Sequence, residues 1–505
     1  MMNVKALGNY LTVSKVAWAF YFLLSFFVIL FMNSKITDEP ITGDATQNVR
    51  LGYYLYTEGV FAVLADDEGV PMPSNYREPV PPAINALFMY LHPEIKKTDS
   101  IESFKDGKNT KLIKQSNLFW LFLLQIGVGF VIYAVTRSMA WSFLGWFLVL
   151  FYFIRFGDHF DHLYTEIQAA TMIVWTTYFL LIAVVNKKWI GYLLAGFSFG
   201  LLILTKAVFY YLTPVIILFL FLINREPKRV LHYGALFAAT LLVVMPWLIR
   251  NQLLLNDFSI THRGGKVLYA RAIMNNIESR EATAAVYLWG PQLYKDIVSG
   301  TSLEVDTVEY AAGGRFEQLI RYPDSDSLAF EMRDPGAAVS YQSKMRIMTD
   351  SLIVELRNRG YSREEARPRA IDMLKEEGME MILNNPVQHI SKVPLFFWRG
   401  AWPFPNSTIP LVNDKLQVYI NNMMNLAALL SLFFLPLWGL IRKQMKLIVI
   451  AILPAAMVLF HTLISHNIAR YTESAIASML ICLTILLFYL YKRWVQDRVI
   501  KVFQK

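Results

Sequence analysis

The sequence predicts an all-α integral membrane protein. The expected fold is a bundle of about ten transmembrane helices, with surface-lying helices in its first extracytoplasmic loop and a second, mainly helical extracytoplasmic segment. Three observations carry that expectation. Of 505 residues, 55% are hydrophobic and 14% aromatic, with a mean hydropathy of +0.37, which is more apolar content than one water-soluble core of this length needs. Apolar runs of roughly 17 to 25 residues, the length that crosses a hydrocarbon core as a helix, recur along the chain. Basic residues gather in alternate short loops between those runs, as they do on the cytoplasmic side of membrane proteins.

The apolar runs fall at 16–33, 117–135, 138–156, 166–185, 189–205, 207–223, 230–249, 417–441, 447–465 and 474–491. Lys5 and Lys15 precede the first, which is long for a signal-peptide core and is followed by no small-x-small cleavage site, so a retained helix is expected. If the spans alternate, Arg137, then Lys187 and Lys188, then Arg225, Lys228 and Arg229, then Arg442, Lys443 and Lys446, and finally Lys492, Arg493, Arg498 and Lys501 share one side. That side is expected to be cytoplasmic, with both termini inside, and the formal charge of +9 is then a topology signal and not a nucleic-acid footprint. The lone Cys482 lies in an apolar run, which excludes a disulfide framework or a cysteine-based zinc site.

Three parts are expected: a transmembrane module over 1–250 with a large first loop at 34–116, an extracytoplasmic, mostly helical segment over 251–416, and C-terminal helices with a basic tail over 417–505. Within the second part, helical periodicity runs from Ser362 to Ile390, opened by the capping-box pattern Ser362-x-x-Glu365 and interrupted by Pro386. The aromatic stretch Val393 to Trp402 is too short to span and suits an interfacial re-entry. Gly and Pro clusters near 311–336 read as irregular chain.

Asp44 stands a short way beyond the first span, ahead of an aromatic stretch compatible with a surface helix. A carboxylate there is placed to take a proton from an acceptor hydroxyl, and equally to cap that helix. A second acidic cluster, Asp158-His159-Phe160-Asp161-His162, precedes Glu166, which opens an apolar helix where an ionisable group is costly and calls for a partner. Asp158, His159 and Asp161 offer oxygen and nitrogen ligands for a divalent metal ion, the one cofactor the residues admit, although the spacing matches no strong metal motif and the aspartates serve equally as helix caps. Lys206, Arg250, His262, Arg263 and Arg470 with Tyr471 lie at outer span ends, against the positive-inside pattern. Each alone reads as a snorkelling side chain; together they suit an anion such as a phosphate.

In its order of features the chain resembles the multi-span GT-C glycosyltransferases, in particular the branch of protein O-mannosyltransferases and aminoarabinose lipid A transferases. The stretches that carry the resemblance are Gly43-Asp44-Ala45, Gly52 to Phe61, Arg77-Glu78-Pro79-Val80-Pro81-Pro82-Ala83, Tyr164-Thr165-Glu166, Gly200 to Lys206, Pro246 to Asn251, Asn385-Pro386, and Arg470-Tyr471. It thins between about 270 and 360, and the family's Arg-x-Pro-x-Tyr-Pro pattern here lacks its tyrosine. The resemblance implies a GT-C-like bundle, a sugar donor carried on a polyprenyl phosphate, and transfer to an acceptor glycan, lipid or protein on the non-cytoplasmic face of a bacterial inner membrane, facing the periplasm or exterior. It implies Asp44 as general base, Glu166 as the second acidic residue of the catalytic pair, which in relatives helps hold the acceptor or in some branches a metal, and Lys206, Arg250 and Arg470 beside the departing lipid phosphate; Arg77, His262, Arg263 and Tyr471 complete the candidate substrate-binding residues. Membrane lipids are the remaining expected partners, and nucleic acid is not one. A transporter or flippase of an anionic lipid or lipid-linked sugar is the competing reading, since such proteins also carry intramembrane charge; a non-catalytic scaffold of the same fold is a third.

Overall fold

A computed structural model describes residues 4–65, 69–155, 158–186, 188–223, 229–311, 313–320, 340–403 and 414–496. All ten expected spans are helices, and the chain is a multi-pass integral membrane protein. Among the described residues seven helices are long and apolar enough to cross a bilayer: Lys15–Asn33, Thr110–Thr136, Glu166–Val185, Val230–Leu255, Lys415–Ile441, Met445–Ile464 and Ile476–Val495. The other three, α7 (Met139–Arg155), α10 (Trp189–Thr205) and α11 (Val208–Ile223), have only 16 or 17 residues. At 1.5 Å per residue they reach about 25 Å, the lower limit for a span. The last two are short because one apolar stretch is broken at Lys206, whose extended backbone ends α10.

The chain divides into two compact units, residues 1–260 with 427–457 and 473–505, and residues 261–426 with 458–472. The C-terminal helices are divided between these two units. In the first unit, α6 (Ser116–Thr136), α9 (Glu166–Asn186), α10 and α12 (Arg229–Leu255) pack side by side. Gly196 permits the closest approach: a Cβ there would stand 2.2 Å from the Leu236 carbonyl oxygen.

The first loop folds onto itself. Helix α2 (Asp44–Glu58) buries Ala45 and Val49 against Met89, Ile95, Phe104, Ile113 and Leu163, while the hydroxyls of Tyr53 and Tyr56 donate to the carbonyls of Asp99 and Ile95 at 2.8 and 2.9 Å. Helix α3 (Val80–Leu91) starts at the proline run, where prolines at the first turn cost no hydrogen bond. Between them lies an antiparallel hairpin, β1 (Ala62–Ala65) with β2 (Pro71–Pro73), pairing Ala62 with Pro73 and Ala65 with Pro71, a small departure from an all-helical loop.

The second unit contains α13 (Gly264–Met274), α14 (Ser279–Trp289), and helices Tyr341–Asn358, Arg363–Asn384, Pro386–Ser391 and Val393–Gly400, around a core that includes Tyr269, Ile273, Leu374 and Phe396. The expected capping box is present: the Ser362 hydroxyl accepts from the Glu365 N–H at 3.3 Å and Glu365 accepts from the Ser362 N–H at 3.1 Å. The aromatic stretch forms an eight-residue helix, too short to cross hydrocarbon. Of the expected irregular stretch near 311–336, residues 312 and 321–336 lie outside the described residues.

Candidate functional site

Asp44 is the first residue of α2, not its cap. Gly43 occupies the cap position with φ +61°, a left-handed conformation that favours glycine, and a Cβ on it would stand 3.4 Å from the Tyr164 hydroxyl. Asp44 itself stands in the first turn of the helix. Its carboxylate pairs with Arg77, whose Nη2 lies 2.7 Å from Oδ1, while Arg77 Nε donates to Gln47 Oε1 at 2.8 Å, one turn along α2. The Arg77 side chain is 9% exposed and that of Asp44 21%, so the carboxylate retains the more open side of the pair.

The residue after Arg77 reaches the opposite way. Glu78 Oε1 accepts from the Ala207 N–H at 3.0 Å, at the break between α10 and α11. Beside it, the Lys206 ammonium donates to the Ser474 hydroxyl at 2.9 Å. Glu473, adjacent to Ser474, and Glu166 both lie within electrostatic reach of the buried Tyr152 phenol. Glu166 opens α9 two residues after Tyr164, which returns the circuit to Gly43. Asn48 of α2 closes that side by donating to the Leu163 carbonyl at 3.4 Å. Asp44, Arg77, Glu166 and Lys206 thus lie on a ring of neighbouring residues within one unit, joined in part by direct contacts (Asp44 to Arg77, Glu78 to Ala207, Lys206 to Ser474) and in part by chain adjacency and electrostatic reach.

Arg250 does not join that ring through its own hydrogen bonds. Its guanidinium lies 4.8 Å from the centre of the Trp247 ring and donates to the carbonyls of Ser74 and Phe61 at 3.1 and 3.5 Å. With Asp257, which accepts from Asn75 at 2.7 Å, it holds the strand leading to Arg77.

Asp161 is committed elsewhere. Both of its oxygens accept from Thr37, and one lies 3.0 Å from the ammonium of Lys114, a fully buried lysine that also donates to the carbonyls of Thr37 and Glu39. Burial pushes the Asp161 carboxyl pKa up, but the Thr37 and Lys114 bonds outweigh it and hold the group below its ordinary value. An ammonium at that distance repels a divalent cation, so Asp161 fits a lysine cradle and not a metal shell. The side chains of Asp158 and His159 lie outside the described residues, and among the described residues no three His, Cys, Asp or Glu side chains group as a metal site.

His262, Arg263, Arg470 and Tyr471 belong to the second unit. The His262 ring approaches the Pro368 carbonyl at 3.2 Å and Asp372 at 3.4 Å. Arg263 and Arg470, with Arg271 and Arg399, surround His466, whose ring stacks near Tyr471 at 5.4 Å. Burial first, and then those four guanidiniums, pull the His466 pKa down to about 3. Lys114, Glu78, Tyr164, Arg271 and Arg399 were not singled out by sequence. Glu78 and Tyr164 do carry a signal, as members of the stretches Arg77 to Ala83 and Tyr164-Thr165-Glu166.

No family model matches the chain, and no curated protein matches it. Three solved structures resemble it. One is the archaeal oligosaccharyltransferase AglB from Archaeoglobus fulgidus in complex with an inhibitory peptide and a dolichol-phosphate, 12% identical over 96% of this chain and 52% of that one, with a TM-score of 0.47. The others are ArnT from Cupriavidus metallidurans in the apo state, 13% identical over 93% and 77% of the two chains with a TM-score of 0.36, and the same protein bound to undecaprenyl phosphate, 12% identical over 92% and 77% with a TM-score of 0.35. The chain spans about half the length of the oligosaccharyltransferase.

Proposed function

We propose that this protein is a membrane glycosyltransferase that moves a sugar from a polyprenyl-phosphate donor to an acceptor hydroxyl on the non-cytoplasmic face of a bacterial inner membrane, with inversion at the anomeric carbon and both termini cytoplasmic. The observation that supports it best is the double link through Arg77 and Glu78, which joins the Asp44 carboxylate to the α10–α11 break beside Lys206. Such a transfer needs a base for the attacking oxygen and positive charge for the leaving phosphate.

In this reading Asp44 takes the proton of the acceptor hydroxyl as its oxygen attacks the anomeric carbon. The bond from that carbon to the phosphate oxygen breaks, and the lipid phosphate departs with the electron pair. Lys206 meets that charge. Arg77 fixes the carboxylate through its two-point grip on α2, Arg250 positions the loop that leads to Arg77, and Glu166 assists at the acceptor. Asp44 and Glu166 are the first residues of α2 and α9, and Lys206 follows the last of α10, which favours surface chemistry over the mid-span charges of a transporter.

The deciding experiment is Asp44→Asn in purified, lipid-reconstituted protein supplied with a polyprenyl-phosphate sugar. Transfer should fall about 10²- to 10⁴-fold, the usual worth of a general base, with the thermal transition retained. Unchanged transfer by a folded variant removes Asp44 from the chemistry, and translocation of the donor without a new glycosidic bond replaces the enzyme by a transporter.

A further inference from the structure

The helices Arg363–Asn384 and Pro386–Ser391 carry two apolar faces. One is consumed by the core of the second unit: Ala366, Ala370, Ile371 and Leu374 are essentially inaccessible. The other consists of Met379, Leu383, Val387 and Ile390, spaced by four, four and three residues and exposed by 44, 68, 80 and 65%. Nine residues are two and a half helical turns, so Leu383 stands on the side opposite Leu374. Such a row in water is an unmet burial, and its regular spacing marks a surface that another phase or partner covers.

The contacts of these helices tie the row to the end of a membrane-length helix. His389, buried on the inner side of Pro386–Ser391, is hydrogen-bonded to the main chain of Leu463, the penultimate residue of the span Met445–Ile464. The next helix is tied to the turn that leaves the same span: Asn467 Nδ2 donates to the Phe396 carbonyl at 2.9 Å, and Arg399 donates to the His466 carbonyl at 3.1 Å. A span ends where hydrocarbon gives way to headgroups. Val387 and Ile390 flank His389 and are held at that depth. Earlier on the same side stand Asp372 and Glu376, exposed acidic residues that belong in water.

We infer that the row Met379, Leu383, Val387 and Ile390 seats these helices in the headgroup–hydrocarbon boundary of the bilayer, with the C-terminal end inserted and the Asp372–Glu376 end in the aqueous layer. The occupant of this face is lipid. Charge near the row is mixed, Lys375 and Lys392 against Glu376, Glu377 and Glu380, so burial of apolar surface drives the contact and anionic headgroups are not required.

The test uses the full chain in lipid nanodiscs. Cys482 is fully buried, so single cysteines placed by L383C, V387C and, as control, E377C in the polar cleft beside Asn276 and Gln388 accept an environment-sensitive fluorophore without background. Probes at 383 and 387 should emit to the blue of the probe at 377 and be quenched by brominated acyl chains, equally in zwitterionic and anionic lipid. Iodide quenching at 387 as strong as at 377 places the row in water and overturns the inference. Blue-shifted probes that no lipid quencher reaches, with cross-links between copies, overturn it in favour of a self-association face, and quenching confined to anionic lipid overturns the apolar seat.

Discussion

The two units bury their cations in different ways. In the first, Lys114 is wholly enclosed with the Asp161 carboxylate 3.0 Å away, and Arg77 faces Asp44 at 2.7 Å. In the second, Arg271 is equally enclosed, yet its hydrogen bonds go to Asn275 and to the His389 carbonyl, and its guanidinium lies 3.8 Å from the centre of the Phe396 ring. Arg399 likewise rests on the His466 carbonyl, the Met274 sulfur and the Trp289 ring. Burial lowers the Arg271 and Arg399 pKa values to about 9 and 10, so both remain charged at neutral pH. A paired cation fixes where a carboxylate points, whereas one solvated by carbonyls and aromatic faces leaves a positive field behind. The first arrangement suits the placing of a base, the second the reception of an anion.

Beyond the loss of transfer expected of Asp44→Asn, the sharpest way to break this contrast is to delete one cation from each unit. Lys114→Met takes the counter-charge from the partly exposed Asp161 carboxylate and the donor from the Thr37 and Glu39 carbonyls, and should destabilise the first unit by about 3 to 5 kcal/mol. The readout is chemical or thermal unfolding in detergent. Arg271→Met strands no carboxylate; it leaves Asn275 and one carbonyl short of a donor, for a loss of about 1 to 3 kcal/mol. Equal losses in the two variants would erase the distinction.

The helices and their order were legible because apolar runs and breakers are local signals. All ten apolar runs appear as helices, seven of them, among the described residues, long enough to cross a bilayer, and the Ser362 box and the stop at Pro386 appear where the pattern put them. Asp44 is legible as a candidate, but its exact station is not: Gly43 takes the cap at φ +61°, a conformation that favours glycine, with Tyr164, more than a hundred residues on, lying against it. Lys114 looks in sequence like an ordinary basic residue ahead of a span, and only the fold shows it enclosed by Thr37, Glu39 and Asp161. Arg250 was read as an anion ligand because it stands at an outer helix end. The carbonyls it binds belong to a hairpin that no periodicity announced.

The smallest expected effect concerns pH, and it separates the units by window. His466 and His389 both have folded pKa values below their ordinary 6.5, in each case first through burial and then through neighbouring arginines, Arg399 foremost for His466 and Arg271 for His389. Below about pH 6.5 the unfolded chain therefore binds protons that the folded second unit refuses, so stability rises with pH through that window and is lost on acidification. Asp161 works lower on the scale. Its folded pKa lies below the ordinary value, so its contribution is complete above about pH 4 and disappears as pH falls further. Between pH 7 and 5 the thermal transition of the second unit should fall while that of the first holds, and His466→Gln should flatten the fall in part, leaving the share due to His389. A slope that His466→Gln leaves intact would mean that the arginines around that ring do not keep it neutral, and the positive field assigned to the second unit would lose its support.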